Sequence, residues 1–196
     1  MSAPDVVNAW FYRQMATWAT LFKKGDLAIE YWKRVRQLRP RDPSVVATLA
    51  HLQAGAGRRG EAMALVRESL EMNPAQPAVW FNLGFMQQQG GDHAAALASF
   101  ERALALDDKL DRAYYGRALS LIKLGRLEEA VAPLKRNTQL QPMSPYGWYQ
   151  LAHVYHRLGQ DERAIKVIRK LAEFEPKVAE QAQRETGVAA GVKSPF

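Results

Sequence analysis

Apolar residues recur along the chain with helical rather than strand spacing. In the stretch 77–110, Leu83 and Met86 form one apolar stripe, and Leu97, Phe100 and Leu104 form a second. A glycine between the two stripes can adopt the positive φ at which a helix commonly ends. The pattern therefore predicts two helices joined by a tight turn.

The same pattern returns every 34 residues. Trp80 opens the segment Trp-Phe-Asn-Leu-Gly, and Trp148, which lies 68 residues later, opens the similar Trp-Tyr-Gln-Leu-Ala. Tyr114 holds the position midway between them, and Val46 the position one period earlier. This period predicts four windows without gaps and a less regular fifth window before them: 43–76, 77–110, 111–144, 145–178 and 9–42.

Fixed landmarks support this register. A glycine ends the first half of each regular window: Gly57, Gly91, Gly125 and Gly159. In window 9–42 the glycine is Gly25, two positions late, so we expect a longer first helix and a tighter turn there. Pro133 falls inside the second helix of window 111–144 and is expected to kink it, leaving the carbonyl of Glu129 without its partner. We expect Asn137, one turn later, to share in satisfying that kink.

The predicted organisation is one array over residues 1–178, followed by a capping helix and a tail over 179–196. Residues 178–187 favour the helix. The final segment GVAAGVKSPF contains Gly and Pro without periodicity, so we expect it to be mobile.

These windows resemble the tetratricopeptide repeat (TPR). The closest copy of the family pattern is in window 77–110: Trp80, Leu83, Gly84, Ala96, Phe100 and Ala103. The resemblance covers residues 9–178 and implies an all-α fold, a right-handed α-solenoid of stacked antiparallel helix pairs. It also implies that the first helix of each pair lines a concave groove.

The groove positions implied by the resemblance carry aromatic, amide and basic side chains. We expect this groove to bind a peptide or helix of a partner protein. The expected groove residues are Phe81, Asn82, Phe85, Gln88, Gln89, Arg112, Tyr115, Leu119, Lys123, Tyr146, Tyr149, His153, His156 and Arg157. The alternative for Phe81 and Phe85 is packing between adjacent repeats.

One well-known groove of this family grips a C-terminal carboxylate with a clamp of Lys, Asn and Arg side chains. Asn82 and Arg112 match that clamp, whereas Ala47, His51 and Gly116 do not. The expected role is thus an adaptor or assembly factor of a larger complex, rather than a receptor for chaperone tails.

The first window is unusually aromatic. Trp10 and Trp18 lie two turns apart and cannot easily share one small core with Phe11 and Phe22. We expect these four residues to form a secondary docking surface for a partner or a second copy of the chain. The alternatives are peripheral contact with an anionic membrane and packing on the next repeat.

Composition narrows the chemistry further. The 196 residues include no cysteine, which excludes disulfides, thiolate metal sites and a cysteine nucleophile. A formal net charge of +7 is a modest excess that suits an acidic partner, single-stranded RNA or a membrane surface. RNA binding by helical repeats is the alternative function.

Motifs of catalysis are missing from the sequence. The Gly-rich stretch at residues 55–60 lies in the turn between two predicted helices, without the preceding strand that a nucleotide-binding loop needs. Neither HExxH nor GxSxG occurs, so we expect no enzyme activity and no cofactor. His153 and His156 have the spacing of half a metal site without an evident third ligand, so no metal is expected. The sequence shows neither a secretory signal pattern nor a membrane-spanning apolar run, and the expected location is the cytoplasm.

Overall fold

The computed structural model describes residues 3–193, and this part of the chain contains eleven helices joined by short connections and no strand. The helices of the first half are α1 Ala3–Leu21, α2 Gly25–Leu38, α3 Pro43–Gly55, α4 Arg59–Met72 and α5 Pro77–Gln89. Those of the second half are α6 His93–Leu106, α7 Asp111–Lys123, α8 Leu127–Leu140, α9 Pro145–Arg157, α10 Asp161–Ala172 and α11 Pro176–Thr186. The chain divides into two compact units, a first unit up to Met86 and a second unit from Gln87.

The starts of the helices follow the 34-residue period. α3, α5, α7 and α9 are each 13 residues long and begin at residues 43, 77, 111 and 145, the first residue of each regular window. Three of them begin with proline, which suits a first turn whose N–H groups have no acceptor within the helix. Asp42 caps α3 by accepting a hydrogen bond from the Ser44 N–H at 3.0 Å.

The turn inside each window is made at one fixed position. Gly57, Gly91, Gly125 and Gly159 all have φ between 69° and 86°, in the left-handed region that favours glycine. In the first window the corresponding residue is Lys23, with φ 55°. The expectation of a tighter turn there was wrong, because Lys23 takes the glycine's conformation and Gly25 begins α2. The greater length of α1 lies at its N-terminal side.

A second repeated contact fixes the start of two first helices. The indole N–H of Trp80 donates to the carbonyl oxygen of Pro74 at 2.8 Å, and that of Trp148 donates to Pro142 at 2.9 Å. In both repeats the bond ties the first turn of the helix to the proline that ended the preceding window. The tryptophan thus satisfies its polar N–H while its ring packs at the core edge.

The first unit buries its apolar residues in two clusters. Ile29, Trp32 and Val35 of α2 pack with Val45 and Leu49 of α3. A second cluster, formed by α3, α4 and the beginning of α5, contains Ala50, Ala62, Val66, Leu70, Val79, Leu83 and Met86. The side of α1 that faces this core consists of the small residues Ala9, Ala16 and Ala19 together with the half-buried Tyr12.

The second unit has one core that runs from α6 to α11. Phe100 of α6 is fully buried, and its ring lies over the backbone of Gly116 in α7. A β-carbon at residue 116 would lie 2.5 Å from that ring, so α6 and α7 approach closely only because this residue is glycine. Gly116 is therefore buried, although the resemblance placed it at a groove position.

α8 runs from Leu127 to Leu140 as one helix with the buried Pro133 inside it, and one expectation about α8 needs correction. Asn137 does not serve Glu129. Its side-chain N–H₂ donates instead to the carbonyl oxygen of Asp111, the first residue of α7, at 3.0 Å. The physical reason is that Asn137 is buried between α7 and α9, where its side chain bonds α8 to α7, the other helix of the same repeat.

The chain after α10 is also more ordered than expected. α11 packs on α9 and α10, and the residues that follow it, up to Val192, fold back onto these helices. Val188 and Ala190 are buried, and the side chain of Gln183 bonds both the N–H and the carbonyl of Val192 at 3.0 Å. These contacts contradict a mobile tail up to residue 193, and residues 194–196 lie outside the described part.

Candidate functional site

The expected groove residues are divided between the two units. Phe81, Asn82 and Phe85 lie on α5 before the boundary, and the other eleven lie in the second unit. Phe81 and Asn82 are half-buried, while Phe85 is 47% exposed. The rings of Phe81 and Phe85 stack with their centroids 6.3 Å apart, which gives the first unit a small apolar platform.

Three of the expected residues in the second unit surround a cavity of about 330 Å³, named here the α7–α9 cavity. It lies where α7 and α9 begin and α8 ends. Its lining residues are Asp111, Arg112, Tyr115, Asn137, Gln141, Ser144 and Tyr146. The cavity thus combines two aromatic rings with one guanidinium, one carboxylate and several neutral polar groups.

The aromatic wall of the cavity consists of Tyr115 and Tyr146. Their ring centroids lie 6.5 Å apart with the planes tilted by 60°. Tyr146 is 68% exposed, whereas Tyr115 is half-buried, and burial raises the pKa of its hydroxyl despite a hydrogen bond with Gln150. Both rings present apolar faces to the cavity, and Tyr115 stays neutral at physiological pH.

The polar wall comes from residues that the sequence does not single out as ligands. Gln141 and Ser144 lie in the connection from α8 to α9, and Ser144 makes no capping bond with its side chain. Asn137 forms part of the wall as well as bonding Asp111. In the first unit, Ser69 occupies the same repeat position as Asn137 and donates to the carbonyl of Pro43 at 2.9 Å. A polar residue at this repeat position was therefore the sequence signal that could have identified Asn137 as part of the site.

A second group of expected residues is held by α11. The hydroxyl of Tyr149 donates to Oε2 of Glu185, and Gln181 donates to Oε1 of the same carboxylate at 2.8 Å. Nε2 of His153 lies 3.1 Å from Oε2 of Glu185, a contact that becomes an ion pair when the imidazole is protonated. The side chains of Tyr149 and His153 therefore contact Glu185 of α11, instead of acting as two separate groove contacts.

These contacts shift the acidities of the group. The hydrogen bond to the Glu185 carboxylate raises the pKa of Tyr149 to about 12. The same bond lowers the pKa of Glu185. Burial lowers the pKa of His153, although the nearby Glu185 carboxylate opposes this effect. At neutral pH the group thus contains a carboxylate, a neutral phenol and a neutral imidazole.

The remaining expected residues differ in accessibility. Gln88 is engaged inside the fold, because its amide donates to the carbonyl of Gly116 and to the Ser120 hydroxyl, both at 2.9 Å. Nδ1 of His156 lies 2.8 Å from a carboxylate oxygen of Asp161. Leu119 is half-buried, and the exposed residues are Gln89, Lys123 and Arg157.

Three residues of the expected secondary docking surface lie on the outer side of α1, and the fourth, Phe22, directly follows its last residue. Trp10, Phe11, Trp18 and Phe22 are each at least 50% exposed. Trp18 and Phe22 stack with their ring centroids 6.0 Å apart. The small alanines take the buried side of the helix, and Trp10 also borders a small cavity together with Val35 and Val45 of the first unit's core.

Two features are absent from residues 3–193, the part of the chain that the structure describes. In this stretch no three His, Asp or Glu side chains come close enough together to hold a metal ion. None of its helices has both the length and the apolar character needed to cross a bilayer.

Comparison with solved structures shows the fold. MamA is 20% identical over 88% of this chain and 94% of its own, with a TM-score of 0.79. MamA 41-end from Desulfovibrio magneticus RS-1 is 19% identical over 87% of this chain and 96% of its own, with a TM-score of 0.80. YrrB, described as a TPR protein with an unusual peptide-binding site, is 17% identical over 88% of this chain and 90% of its own, with a TM-score of 0.76. These similarities confirm the expected α-solenoid of helix pairs.

Comparison with family profiles identifies the repeats themselves. Profiles described as tetratricopeptide repeat match residues 43–68, 77–110 and 145–178, and one described as TPR repeat matches residues 118–159. No curated protein matches the chain. The profiles over residues 77–110 and 145–178 each cover one complete helix pair of the structure, and the chain belongs to the tetratricopeptide-repeat family.

Proposed function

We propose that this protein is a non-catalytic interaction scaffold whose α7–α9 cavity binds a peptide segment of a partner protein. The observation that carries the proposal is the half-buried Tyr115 beside the exposed Tyr146, at a cavity with a polar wall. An exposed aromatic residue next to unfilled space and hydrogen-bonding groups is typical of recognition surfaces.

The chemistry of the cavity favours an extended or helical peptide with one apolar side chain. That side chain would enter between the two tyrosine rings and bury apolar surface on both. The amide of Gln141 and the hydroxyl of Ser144 would exchange hydrogen bonds with the peptide backbone, since each group is both donor and acceptor. The volume of about 330 Å³ lies at the small end of ligand sites, so one side chain and its flanking backbone fill it.

The charge of the site favours an acidic group in the same peptide. The guanidinium of Arg112 is exposed at the rim and suits a carboxylate by bidentate geometry. The neighbouring Asp111 disfavours a uniformly acidic ligand. The peptide expected here therefore has one large apolar residue and one acidic residue within a short segment.

Two other observations are consistent with a peptide-binding scaffold. YrrB, which shares the fold, is described as having a peptide-binding site. The platform of Phe81 and Phe85 offers a second apolar contact for a partner on the first unit. With several contact surfaces and no evident catalytic grouping, we infer the role of an adaptor or assembly factor within a larger complex.

A selection from a library of random peptides tests the proposal without knowledge of the partner. The bait is the wild-type chain beside a Tyr115→Ala/Tyr146→Ala variant, with circular dichroism used to check that both are folded. Met143→Ala is the matched control, because Met143 is also 68% exposed and precedes α9 without lining the cavity.

We expect the wild type and the Met143→Ala control to enrich peptides that combine an apolar and an acidic residue, and the double variant to lose them. Equal enrichment by all three baits would overturn the placement of the site. If the chain instead binds poly(U) RNA more tightly than any peptide, with an affinity that falls steeply in added salt, the result would indicate that the protein binds single-stranded RNA.

A further inference from the structure

The outer side of α1 is apolar over nearly the whole length of the helix. In addition to the four aromatic residues, Val6, Val7 and Leu21 are 43%, 64% and 69% exposed. We name the surface formed by these seven residues and Gln14 the α1 face. A single unpartnered stripe of this kind on a soluble domain is typical of an interaction surface.

The order of residues in the α1 face is nearly symmetric about Gln14. Val7 and Leu21 lie seven residues to either side of it, and Trp10 and Trp18 lie four residues to either side. Val6 and Phe22 likewise lie at equal distances. Two antiparallel copies of one helix place such mirrored positions opposite each other, and this is the condition for an interface related by a two-fold axis.

We propose that the α1 face joins two copies of this chain in an antiparallel pair of α1 helices with Gln14 on the two-fold axis. In this pair Trp10 packs on Trp18 of the other copy, and Val7 packs on Leu21. Phe11 meets Thr17, whose hydroxyl is already bonded to the Arg13 carbonyl at 2.9 Å. The two Gln14 amides bond each other, since each has a donor and an acceptor end.

The spacing of the face suits packing between two helices. Val7, Phe11, Gln14, Trp18 and Leu21 follow one another at intervals of four, three, four and three residues. This alternation keeps a seam of side chains facing a partner helix. A polar residue at the centre of such a seam sets the register, because any shift would bury its amide against apolar groups.

The exposed area is sufficient for a stable dimer. Aromatic side chains have about 150–250 Å² of surface each, so the exposed fractions of the seven apolar residues amount to roughly 800 Å² per copy. That value is about what one partner contributes to a standard specific interface. The antiparallel arrangement also keeps Lys23 and Lys24 of the two copies apart, whereas a parallel pair would bring the four charges together.

The composition of α1 disfavours a membrane as the occupant of this face. Helices that lie on anionic bilayers carry several basic residues along the polar side. α1 contains one basic residue, Arg13, whose guanidinium is placed over the ring of Trp32 at 5.9 Å. It also has Gln14 in the middle of the apolar stripe.

Cross-linking through a single introduced cysteine tests the two-fold axis directly, because the chain has no cysteine of its own. Under mild oxidation, Gln14→Cys should form a disulfide-linked dimer. The control, Gln37→Cys on the exposed side of α2, should not. Equal cross-linking of the two variants, or none, would overturn the proposal.

Sedimentation equilibrium of the full chain tests the energetics. Trp18→Glu should raise the dimer dissociation constant roughly 100-fold or more, because each dimer buries this residue twice. Met143→Glu changes an apolar residue that is 68% exposed, compared with 55% for Trp18, but lies in the second unit, so it should leave the constant unchanged. Val7→Glu should weaken the dimer, and adding Leu21→Lys to it should restore the dimer, because the antiparallel pair places residue 7 opposite residue 21.

Two results would overturn the proposal. The first is a wild-type chain that stays monomeric at every accessible concentration. The second is a monomer whose binding to phosphatidylcholine–phosphatidylserine vesicles is lost in Trp18→Glu, which would assign the α1 face to a lipid surface. Neither result bears on the α7–α9 cavity, which lies in the other unit.

Discussion

Gly147 and Asn137 should be strongly coupled, because the absence of a side chain at residue 147 makes room for the amide of Asn137. A β-carbon at 147 would lie 2.2 Å from Oδ1 of Asn137 and 3.1 Å from a methyl group of Thr138. Asn137 is buried, and its amide holds the first carbonyl of α7. The substitution Gly147→Ala therefore forces Asn137 to move.

The size of the effect follows from the competing terms. At an open helix position, Gly→Ala stabilises by up to about 1 kcal/mol. Moving Asn137 loses its hydrogen bond and strands buried polar groups, which costs about 1–3 kcal/mol, and overpacking costs about 1–3 kcal/mol. We expect Gly147→Ala to lower the free energy of unfolding by about 1–3 kcal/mol in the wild type.

The double-mutant cycle isolates this contact. Asn137→Ala alone removes the bond to Asp111 and should cost about 1–2 kcal/mol. In that background the colliding oxygen is gone, so Gly147→Ala should be neutral or stabilising, and the coupling should be about 2–3 kcal/mol. Gly60→Ala in α4 is the matched control, since a β-carbon there meets nothing within 4 Å.

The assay is urea unfolding followed by circular dichroism, with the slope m compared among variants because repeat arrays can depart from two-state behaviour. Gly147→Ala changing stability by the same amount with and without Asn137 would refute the contact. Since Asn137 also lines the α7–α9 cavity, the cycle tests the geometry of the proposed site as well.

Three further predictions concern the turn at the first window and the group held by α11. Lys23→Gly should raise the free energy of unfolding by about 0.5–1 kcal/mol in urea, because it relieves a left-handed conformation, and Gly57→Lys should do the reverse. The bond from Tyr149 to Glu185 should stabilise the fold fully below pH 10 and be lost as pH rises toward about 12, so Glu185→Gln should shift one step of the tyrosinate absorbance titration to lower pH. His153, whose folded pKa is lowered below 6.5 mainly by burial, should make stability fall as pH drops below that value, and its pKa by NMR should fall further in Glu185→Gln. An unchanged titration of either residue in that variant would contradict the contact.

Much of the fold was predictable because one period governs it. The spacing of Trp80 and Trp148 places the first helices, and the glycines mark their ends. The same register could not reveal that Lys23 adopts a glycine's backbone angle, since residue type favours a conformation without dictating it. Because the nearest glycine is Gly25, the sequence pattern predicts the turn two residues too late.

The candidate site was less predictable, because repeat position indicates which face a side chain is on but not what else reaches it. Tyr115 and Tyr146, two of the expected groove residues, lie together at the α7–α9 cavity. Tyr149 and His153 are instead engaged by Glu185 of α11, a helix that lies one further step along the 34-residue period. Asn137 was linked to Pro133 by sequence proximity, whereas its true partner, Asp111, lies 26 residues earlier.

The central claim is that the second unit binds a peptide at the α7–α9 cavity, and the most direct measurement is the affinity of one library-selected peptide by fluorescence anisotropy. Truncating a central aromatic contact typically weakens binding tenfold or more, so we expect Tyr146→Ala to raise the dissociation constant by about 10- to 100-fold. Met143→Ala should leave it unchanged. If the wild type, Tyr146→Ala and Met143→Ala bind the peptide with the same affinity, the claim is contradicted, because the peptide then does not bind at the α7–α9 cavity.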